Sequence, residues 1–426
     1  EQANLKKLCD EVFGEENFIA NLVWERAYSP KNDAKYVSNS HEYVLMYAKC
    51  CDEFKIGRLE RTEEANARYS NPDKDPRGKW KPSDMSVKTY NVENDYKIKT
   101  PSGREVEPPT GRCWSLSRKA FRERLADNRI WFGANGDSVP CIKRFLTELK
   151  FEGMAPTSIL HYKEVGHSQE GAKEVTALLG AGAFDGPKPV RLIKRLLALA
   201  NLQEDSMIVD FFGGSSSTAH AVMEYNIEKN YHAKYVLVQL QESTRPNSPA
   251  AKAGYKAIDQ IGMERIKRAA KKIKADNPLF AGDLGFKHFT LEEPKEDALL
   301  LMERFDPKAS GLTLLTVDDF GRDTVLRTWL EADGYGLTAE AEEVRLGSYT
   351  AYWMGDHLYM INPDDDFDAS SIVALIDKYN GEPFSPHNIV ILGYSFGFTH
   401  REELQKNLRA LKDGNKTLTV NIDVRY

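Results

Sequence analysis

The order of elements around residues 206–242 constrains the fold of this chain more than any other feature. The stretch "SMIVDFF" is apolar apart from a serine and one acid, which is typical of a strand in a parallel sheet that is covered on both faces. It leads through "GGSSS" into the helical pattern "STAHAVMEYN", and "KYVLVQLQE" is a second apolar strand. A strand, a helix and another strand in this order predict a βαβ unit of a doubly wound α/β sheet.

The turn between the first strand and the helix is a candidate ligand site. Asp210 lies near the end of the strand, and Gly213, Gly214 and three serines lead into the helix, so the backbone can approach a ligand closely while the helix offers free N–H groups. Glu242 follows the second strand at the same edge of the sheet, where an acid can bind the hydroxyls of a ribose. The same residues also suit a tight crossover with serines that cap the helix. The G-x-G-x-x-G fingerprint of dinucleotide sites is absent.

Length and composition indicate a globular protein of several domains without a membrane span. The chain has 426 residues, enough for two to four domains of roughly 100 to 200 residues each. No run approaches the roughly 18 consecutive apolar residues of a spanning helix. Because the sequence begins "EQANLKKLCD", with neither an initiator Met nor a signal pattern, we expect a cytoplasmic protein that lacks its N-terminal part. The five cysteines include no C-x-x-C pair, and no metal site is predicted.

The rest of the chain separates into regions of different texture. Strands are predicted at "NFIANLVW" and "HEYVLMYAK", and a stretch dense in Pro, Gly, Asn and Asp follows them. The main helix of that stretch is predicted at "SRKAFRERLADNRI", with Ser117 as its N-cap. After about residue 290, segments such as "LTLLTV", "HLYMIN" and "NIVILGYSF" alternate with helical patterns and predict a separate α/β domain for interactions.

Charge is distributed unevenly along the chain. Residues 1–150 carry 27 Lys and Arg against 24 Asp and Glu, whereas residues 301–426 carry 12 against 21, so the front of the chain is the part suited to face a polyanion. Cations and aromatic rings in the loop-rich region suit phosphates and bases, although an irregular soluble domain needs such residues too. The candidate DNA contacts are Arg77, Lys79, Trp80, Lys81, Arg104 and Arg112.

Three segments of the α/β unit carry a resemblance to a known family. In order and spacing, "FDGPKPVRLIKRLL", "DFFGGSSSTAHAVM" and "KYVLVQLQE" resemble the cofactor half of the β-class amino-methyltransferases of DNA, most closely the modification subunits of type III restriction–modification systems. The resemblance implies a site for S-adenosylmethionine, in which a Phe-x-x-Pro-Lys-Pro segment, a Phe-Gly turn and an acid after the next strand hold the cofactor. Carried over, these roles fall on Phe184, Pro187, Lys188 and Pro189, on Asp210, Phe211, Phe212, Gly213, Gly214 and Ser215, and on Glu242.

The resemblance covers essentially the whole chain and implies its architecture. The implied fold is α/β, a Rossmann-like S-adenosylmethionine-dependent methyltransferase fold with a mixed, mostly parallel sheet, an inserted loop-rich target-recognition region and a C-terminal α/β domain. The implied regions are the end of the catalytic half (1–51), the target-recognition region (52–160), the cofactor-binding half (161–285) and the C-terminal interaction domain (286–426).

Two departures from the family pattern affect the expected chemistry. The family turn reads Phe-x-Gly-x-Gly, and Ser216 occupies its second glycine position. A left-handed serine costs about 1 kcal/mol, and we expect its side chain to crowd the cofactor and weaken binding. The family's catalytic tetrapeptide, Asp/Asn-Pro-Pro-Tyr/Phe, does not occur, since the nearest strings are "VEPPTG" (106–111) and "NPDDDF" (362–367). No residue of this chain is therefore predicted to be catalytic.

The function that the resemblance implies is site-specific methylation of the exocyclic amine of adenine in DNA. The implied partners are double-stranded DNA, a helicase-nuclease restriction subunit and a second modification subunit. A binding module, derived from a truncated or decayed methyltransferase, is the main alternative, because Ser216 and the missing tetrapeptide favour it. An unrelated Rossmann-like oxidoreductase is a weaker alternative, since the dinucleotide fingerprint is missing.

Overall fold

The computed structural model describes residues 1–30, 32–291, 300, 320–362, 367–381, 383–394, 396–410 and 420–426. These residues form two compact units, Glu1–Gly285 and Phe286–Tyr426, and each unit mixes helices with strands. The strand predicted at "LTLLTV" and most of "NPDDDF" lie outside the described residues. Among the residues that are described, none of the helices combines the length and the hydropathy of a membrane span.

The first unit begins with a helix and a three-stranded sheet. Helix α1 (Gln2–Phe13) precedes the antiparallel strands β1 (Phe18–Glu25) and β2 (His41–Tyr47), and β10 (Ile159–Leu160) pairs in parallel with β1. Both strands predicted in this part are confirmed. Trp24 of β1 is almost fully buried, and its indole N–H donates to the carbonyl of Gly166 at 3.0 Å.

The loop-rich region folds around several short strands. One sheet has the order β3-β9-β8, and β4 pairs with β7 and β5 with β6. The helices α2 (Glu63–Ala67) and α3 (Arg118–Ala126) lie between these strands along the chain, and Ser117 caps α3 as predicted, because its hydroxyl accepts from Ala120 N at 3.2 Å. The strands are β3 (Trp80–Asp84), β4 (Ser86–Val87), β5 (Ile98–Lys99), β6 (Glu105–Val106), β7 (Cys113–Trp114), β8 (Ile130–Trp131) and β9 (Cys141–Phe145).

A buried group of charges stabilises the β3–β9 sheet. The Lys143 side chain is fully buried, and its ammonium forms ion pairs with Asp73 and, at 3.2 Å, with Asp75. Arg77 pairs with Asp75 at 2.8 Å, and this guanidinium is the main cause that lowers the pKa of the Asp75 carboxyl. A buried charge is tolerated only when it is paired and hydrogen-bonded, so each member of the group depends on the others.

The predicted βαβ unit is confirmed in residues 207–237. Strands β11 (Met207–Asp210) and β12 (Lys234–Leu237) are parallel, with Val209 opposite Val236, and α7 (Ser217–Lys229) connects them. Helix α6 (Val190–Leu199) packs its buried side chains with those of α7. The remaining helices of this unit are α4 (Tyr162–Val165), α5 (Ser168–Leu179), α8 (Pro249–Lys252) and α9 (Ile258–Asp276).

The parallel pair is covered on one face, whereas the sequence predicted a strand buried on both. Ile208 and Tyr235 pack into the α6–α7 cluster, but the side chains of Met207 and Val209 are 62% and 48% exposed. The described strands form several small sheets and not the one mostly parallel sheet that was expected. Successive side chains of a strand point to opposite faces, so an apolar strand exposes half of them where helices pack on a single face.

The second unit is built on one five-stranded sheet. Its strand order is β13-β14-β15-β16-β17, antiparallel up to β15 and parallel from there to β17. The predicted strands at "HLYMIN" and "NIVILGYSF" are confirmed as β15 and β16. The elements are α10 (Arg322–Ala332), β13 (Glu342–Leu346), β14 (Tyr349–Met354), β15 (His357–Met360), α11 (Ala369–Asn380), β16 (Asn388–Leu392), α12 (Phe398–Ala410) and β17 (Asn421–Arg425).

We predict that Asp75→Asn destabilises the loop-rich region in a pH-dependent way. Loss of this carboxylate leaves Lys143 and Arg77 with one partner fewer, which should cost about 3 kcal/mol at pH 7. The pKa of Asp75 is lowered in the folded protein, so its stabilisation is present above the ordinary value of about 4 and is lost as the pH falls through the folded value. Urea unfolding followed by tryptophan fluorescence should show the variant and the parent converging below about pH 4.

The exposed carboxylate of Asp137 provides the matched control. Asp137→Asn lies in the same region, where its carboxylate is 4.0 Å from Arg104 at the surface, and we expect almost no change in stability. A constant difference between Asp75→Asn and the parent from pH 7 to pH 3 would contradict the linkage.

Candidate functional site

The candidate site is the turn from Asp210 to Ser217, between β11 and α7. The Asp210 carboxylate holds the turn together: it accepts from Phe212 N at 3.0 Å and from the Thr218 hydroxyl at 2.6 Å. Gly213 N donates to the carbonyl of Val238 at 2.9 Å, which ties the turn to the end of the neighbouring strand. The acid that the sequence assigned to a ligand therefore fixes the backbone of the turn.

The structure brings the predicted loop at 184–189 against the turn. Gly214 has a φ of +50°, and a Cβ at this position would lie 3.3 Å from Cζ of Phe184. The amide N–H of Gly214 donates to Oε1 of Gln239 at 2.7 Å. Glycine at position 214 therefore relieves the strain of a left-handed backbone and leaves room for the tip of an aromatic ring.

One side-chain hydrogen bond and one close backbone approach fix the course of the loop beside the turn. The Ser217 hydroxyl donates to the carbonyl of Lys188 at 2.9 Å, and a Cβ on Gly171 of α5 would collide with the carbonyl of Pro187. Pro187 and Pro189 are buried, while the Lys188 ammonium extends to Glu42 of β2 at 3.2 Å. The loop is thus held by its own backbone, and its charged end is directed to the first sheet.

Ser216 adopts the left-handed conformation that the family pattern assigns to glycine. Its φ and ψ are +58° and +38°, and the residue is buried. The hydroxyl lies against α9, where a Cβ on Gly262 would be 2.5 Å from Ser216 Oγ. The sequence predicted that this side chain would crowd a cofactor, but the structure accommodates it beside Gly262.

Other predicted residues lie at the open edge of the site. The rings of Phe211 and Phe212 are 70% and 89% exposed, an unusual state for phenylalanine. The Glu242 side chain is also exposed, and its carbonyl accepts from Ile258 N at 2.9 Å, beside the start of α9. Glu242 lies five residues beyond the end of β12, so the acid follows a loop and does not stand at the strand end.

Sequence reasoning missed the residues of α9 that support the turn. The fully buried Arg265 donates from Nη1 to the hydroxyls of Ser215 and Ser217, at 2.9 and 2.7 Å. A signal for it exists, because Arg265 lies at four-residue spacing among buried residues of the helix. That series is Ile261, Arg265, Ala269 and Ile273. A cation in an apolar series indicates a buried polar partner, but the pattern does not say which one.

The structure corrects one of the predicted DNA contacts. Trp80 is 2% exposed, and its indole N–H donates to Asp73 at 2.8 Å, so this ring has no free face on which a base could stack. Burial of an aromatic side chain in a small domain is favourable, and the sequence does not distinguish a core tryptophan from a stacking one.

The predicted cations occupy different environments in the loop-rich region. Arg77 is paired with Asp75 and donates to the carbonyl of Asp127 at 2.8 Å, and Arg112 donates to the carbonyl of Ser86 at 2.8 Å. Lys79 and Arg104 are exposed, and Lys81 is half-buried, with its ammonium 5.4 Å from the centre of the Tyr69 ring. No group of three or more His, Cys, Asp or Glu side chains among the described residues could hold a metal ion.

Comparisons with known proteins cover both units. Residues 1–274 match the family model described as DNA methylase, and residues 320–418 match the model described as the type III R-M EcoP15I C-terminal domain. The Mod subunit of the type III restriction-modification enzyme StyLTI from Salmonella typhimurium is 33% identical over the whole chain. The EcoPI Mod subunit of Escherichia phage P1 is 30% identical and the EcoP15I Mod subunit of Escherichia coli 27%, also over the whole chain. The matches span 68%, 69% and 68% of these relatives.

We predict that Ser216→Gly stabilises the first unit. Glycine removes the strain of a left-handed serine and should raise the free energy of unfolding by about 1 kcal/mol, measured by urea titration. Ser215→Gly is the control. Ser215 has an ordinary φ and accepts from Arg265, so its replacement should lower stability. Equal losses for both variants would show that backbone strain does not determine the effect at position 216.

Proposed function

The chain belongs to the DNA methylase family and, within it, to the modification subunits of type III restriction–modification systems, and on this basis we propose that its turn binds S-adenosylmethionine. The reaction is methylation of the exocyclic amine of an adenine in DNA. The methyl carbon leaves the sulfonium sulfur and bonds to the amine nitrogen, which loses a proton. When bound, S-adenosylmethionine supplies the electrophilic methyl group. Family membership supports this reading over a decayed binding module or an oxidoreductase.

One observation carries the assignment of the cofactor site. The Phe184 ring lies beside the left-handed Gly214, where an added Cβ would be 3.3 Å from its Cζ, so the two separate segments of the sequence meet at one place. The beginning of α7 follows directly, and the unpaired N–H groups of a helix N-terminus favour an anionic group such as the donor carboxylate. Exposed Phe211 and Phe212 offer aromatic faces at the same edge.

The residues of the turn would hold the donor in complementary ways. In the proposed arrangement, the main chain at Gly213, Gly214 and Ser215 wraps the amino-acid moiety, and Phe184 packs against its apolar part, while the buried Pro187 and Pro189 hold the loop in place behind it. Asp210 acts through the backbone it fixes. Glu242 is exposed and accepts the ribose hydroxyls. Lys188 directs its ammonium to Glu42, so its contribution to the site is its main chain.

Orientation is the main source of acceleration that such a site can supply. Alignment of a nucleophile and an electrophile removes much of the entropic part of a barrier and requires no strong acid or base. The target base must also leave the duplex to be reached. The Pro-Pro-aromatic tetrapeptide of the family is not among the 426 residues, so none of them is assigned to holding that base.

The recognition region is the proposed contact surface for double-stranded DNA. Exposed Lys79 and Arg104 are suited to phosphates, and Lys81 retains part of its surface. Arg77 and Arg112 already have protein partners, so they hold loops in place. Their N–H groups without a protein partner are the ones that would contact DNA. The second unit is the proposed docking domain for a restriction subunit and for a second modification subunit, and the cytoplasm is the proposed location.

We predict that Glu242→Gln weakens donor binding without unfolding the protein. Loss of a charged acceptor for two hydroxyls should raise the dissociation constant for S-adenosylmethionine about tenfold, measured by calorimetry. Glu204→Gln is the matched control, because this exposed acid precedes β11 at the opposite end of the strand and should not affect binding. Absence of heat with the unaltered chain would refute the proposed cofactor site.

We predict that Arg112→Ala weakens DNA binding more than donor binding, and that Lys79→Ala lowers the salt dependence of DNA binding. Each phosphate contact that is lost should reduce the slope of log K against log salt by about one. Fluorescence anisotropy with a labelled duplex at several salt concentrations measures both effects. Lys267→Ala on α9 is the control for a lost surface charge. Equal DNA affinity in the parent, Arg112→Ala and Lys79→Ala would place the interface elsewhere.

A further inference from the structure

We propose that Arg265 is a positioning residue that fixes the turn and the 184–189 loop relative to each other. Contacts with α9 then determine the shape of the donor site. The inference rests on the proposed function, because it takes the turn as the donor site. It adds a residue that lies about 50 positions from the turn in sequence and that no family pattern considered above contains.

The first contact of Arg265 joins the turn to the 184–189 loop through the hydroxyl of Ser217. Its Nη1 donates to Ser217 Oγ at 2.7 Å, and Ser217 Oγ donates to the carbonyl of Lys188 at 2.9 Å. A guanidinium has donors only, so Ser217 must accept from it, and the single hydroxyl proton of the serine is left for the loop. Arg265 therefore determines that the Ser217 hydroxyl donates its proton to the Lys188 carbonyl. Ser215 receives a second hydrogen bond from the same nitrogen at 2.9 Å.

The second contact reaches the other end of the loop through Glu174 of α5. Arg265 Nη2 lies 3.5 Å from Oε2 of Glu174, and the two carboxylate oxygens accept from the backbone N–H of Val190 at 3.2 and 3.1 Å. Val190 is the first residue of α6 and follows Pro189 directly. The ion pair of the buried Arg265 with the partly buried Glu174 thus contacts the turn, the middle of the loop and its end.

Stability alone does not account for an arginine at this position. Its Nε and Nη2 have no hydrogen-bond partner, and burial lowers the pKa of the guanidinium to about 10. Burial likewise raises the pKa of Glu174. Well-packed apolar residues often replace a buried ion pair without loss of stability. Arginine differs from an apolar side chain here because it donates hydrogen bonds to two serine hydroxyls.

Gly262 gives α9 a second point of contact with the turn. It lies one helical turn before Arg265, and a Cβ there would be 2.5 Å from Ser216 Oγ and 3.1 Å from the carbonyl of Gly214. Alanine normally improves a helix at the position of a glycine. In this helix it would press on the turn, so Gly262 and Arg265 together determine where three consecutive serines lie.

The test compares donor affinity with folding in the full chain. Calorimetry with S-adenosylmethionine should show a dissociation constant about tenfold higher for Arg265→Met, corresponding to the loss of one or two charged hydrogen bonds. Arg265→Lys should recover part of the affinity, because an ammonium can reach one hydroxyl but does not reproduce the fork of donors. Arg268→Met is the matched control, since Arg268 is exposed on the same helix and pairs with Glu264.

A second arm uses the contact between Ser216 and Gly262. Gly262→Ala should weaken donor binding about tenfold, and adding Ser216→Gly should recover most of this loss, because the hydroxyl at 2.5 Å is gone and only the Gly214 carbonyl at 3.1 Å remains close to the added methyl group. A glycine needed only for helix packing would not be rescued by a change in the turn.

The outcomes separate the inference from the function on which it rests. If the unaltered chain does not bind the donor, the proposed function fails. If it binds and a folded Arg265→Met binds equally well, or if Gly262→Ala is not rescued, this inference alone is overturned. Should Arg265→Met fail to fold, Ser217→Ala decides the first arm, because it removes the hydroxyl that joins Arg265 to the Lys188 carbonyl but keeps Arg265 and its bond to Ser215. An affinity equal to that of the parent would then reject the proposal.

Discussion

The left-handed backbone at Gly214 and Ser216 is the constraint on which the first unit depends. Two positive φ angles within three residues turn the chain sharply from β11 into α7. The turn thereby comes close to its neighbours: Phe184 contacts it at Gly214, and α9 contacts it at Ser216. A side chain at position 214 would press on the Phe184 ring, and a side chain at position 262 would press on Ser216. The packing around the turn therefore depends on both glycines.

A serine at the left-handed position is tolerated because its surroundings compensate for the strain. The strain is about 1 kcal/mol, comparable to one ordinary hydrogen bond. The amide of Ser216 donates to the carbonyl of Gly213 at 2.7 Å, and its carbonyl accepts from His220 N at 3.3 Å. The space for the hydroxyl comes from Gly262. A departure from a family pattern at one position is therefore absorbed by a glycine that lies far away in the sequence.

Local features of the sequence predicted local structure well. The apolar runs identified β1, β2, β11 and β12, Ser117 identified the start of α3, and "DFFGGSSS" identified the turn. Features that depend on which side chains pair in the folded chain were not predictable, even where the partners are close in sequence. Trp80 and Arg77 have the composition of a nucleic-acid surface, yet Asp73 and Asp75 bind them in the fold. The role of Arg265 likewise follows only once α9 is known to pack behind the turn.

Charge in the recognition region divides between structure and binding. Lys143, Arg77 and Arg129 are held by carboxylates, and their contribution to the potential outside the protein is largely cancelled by those partners. Fewer cations of this region are therefore available to a polyanion than the count of Lys and Arg suggests. In the proposed interface, attraction to DNA comes from exposed side chains such as Lys79 and Arg104, and salt screens both this attraction and the surface contact of Arg104 with Asp137. In the same proposal, sequence discrimination depends on loops that the buried charges hold in place.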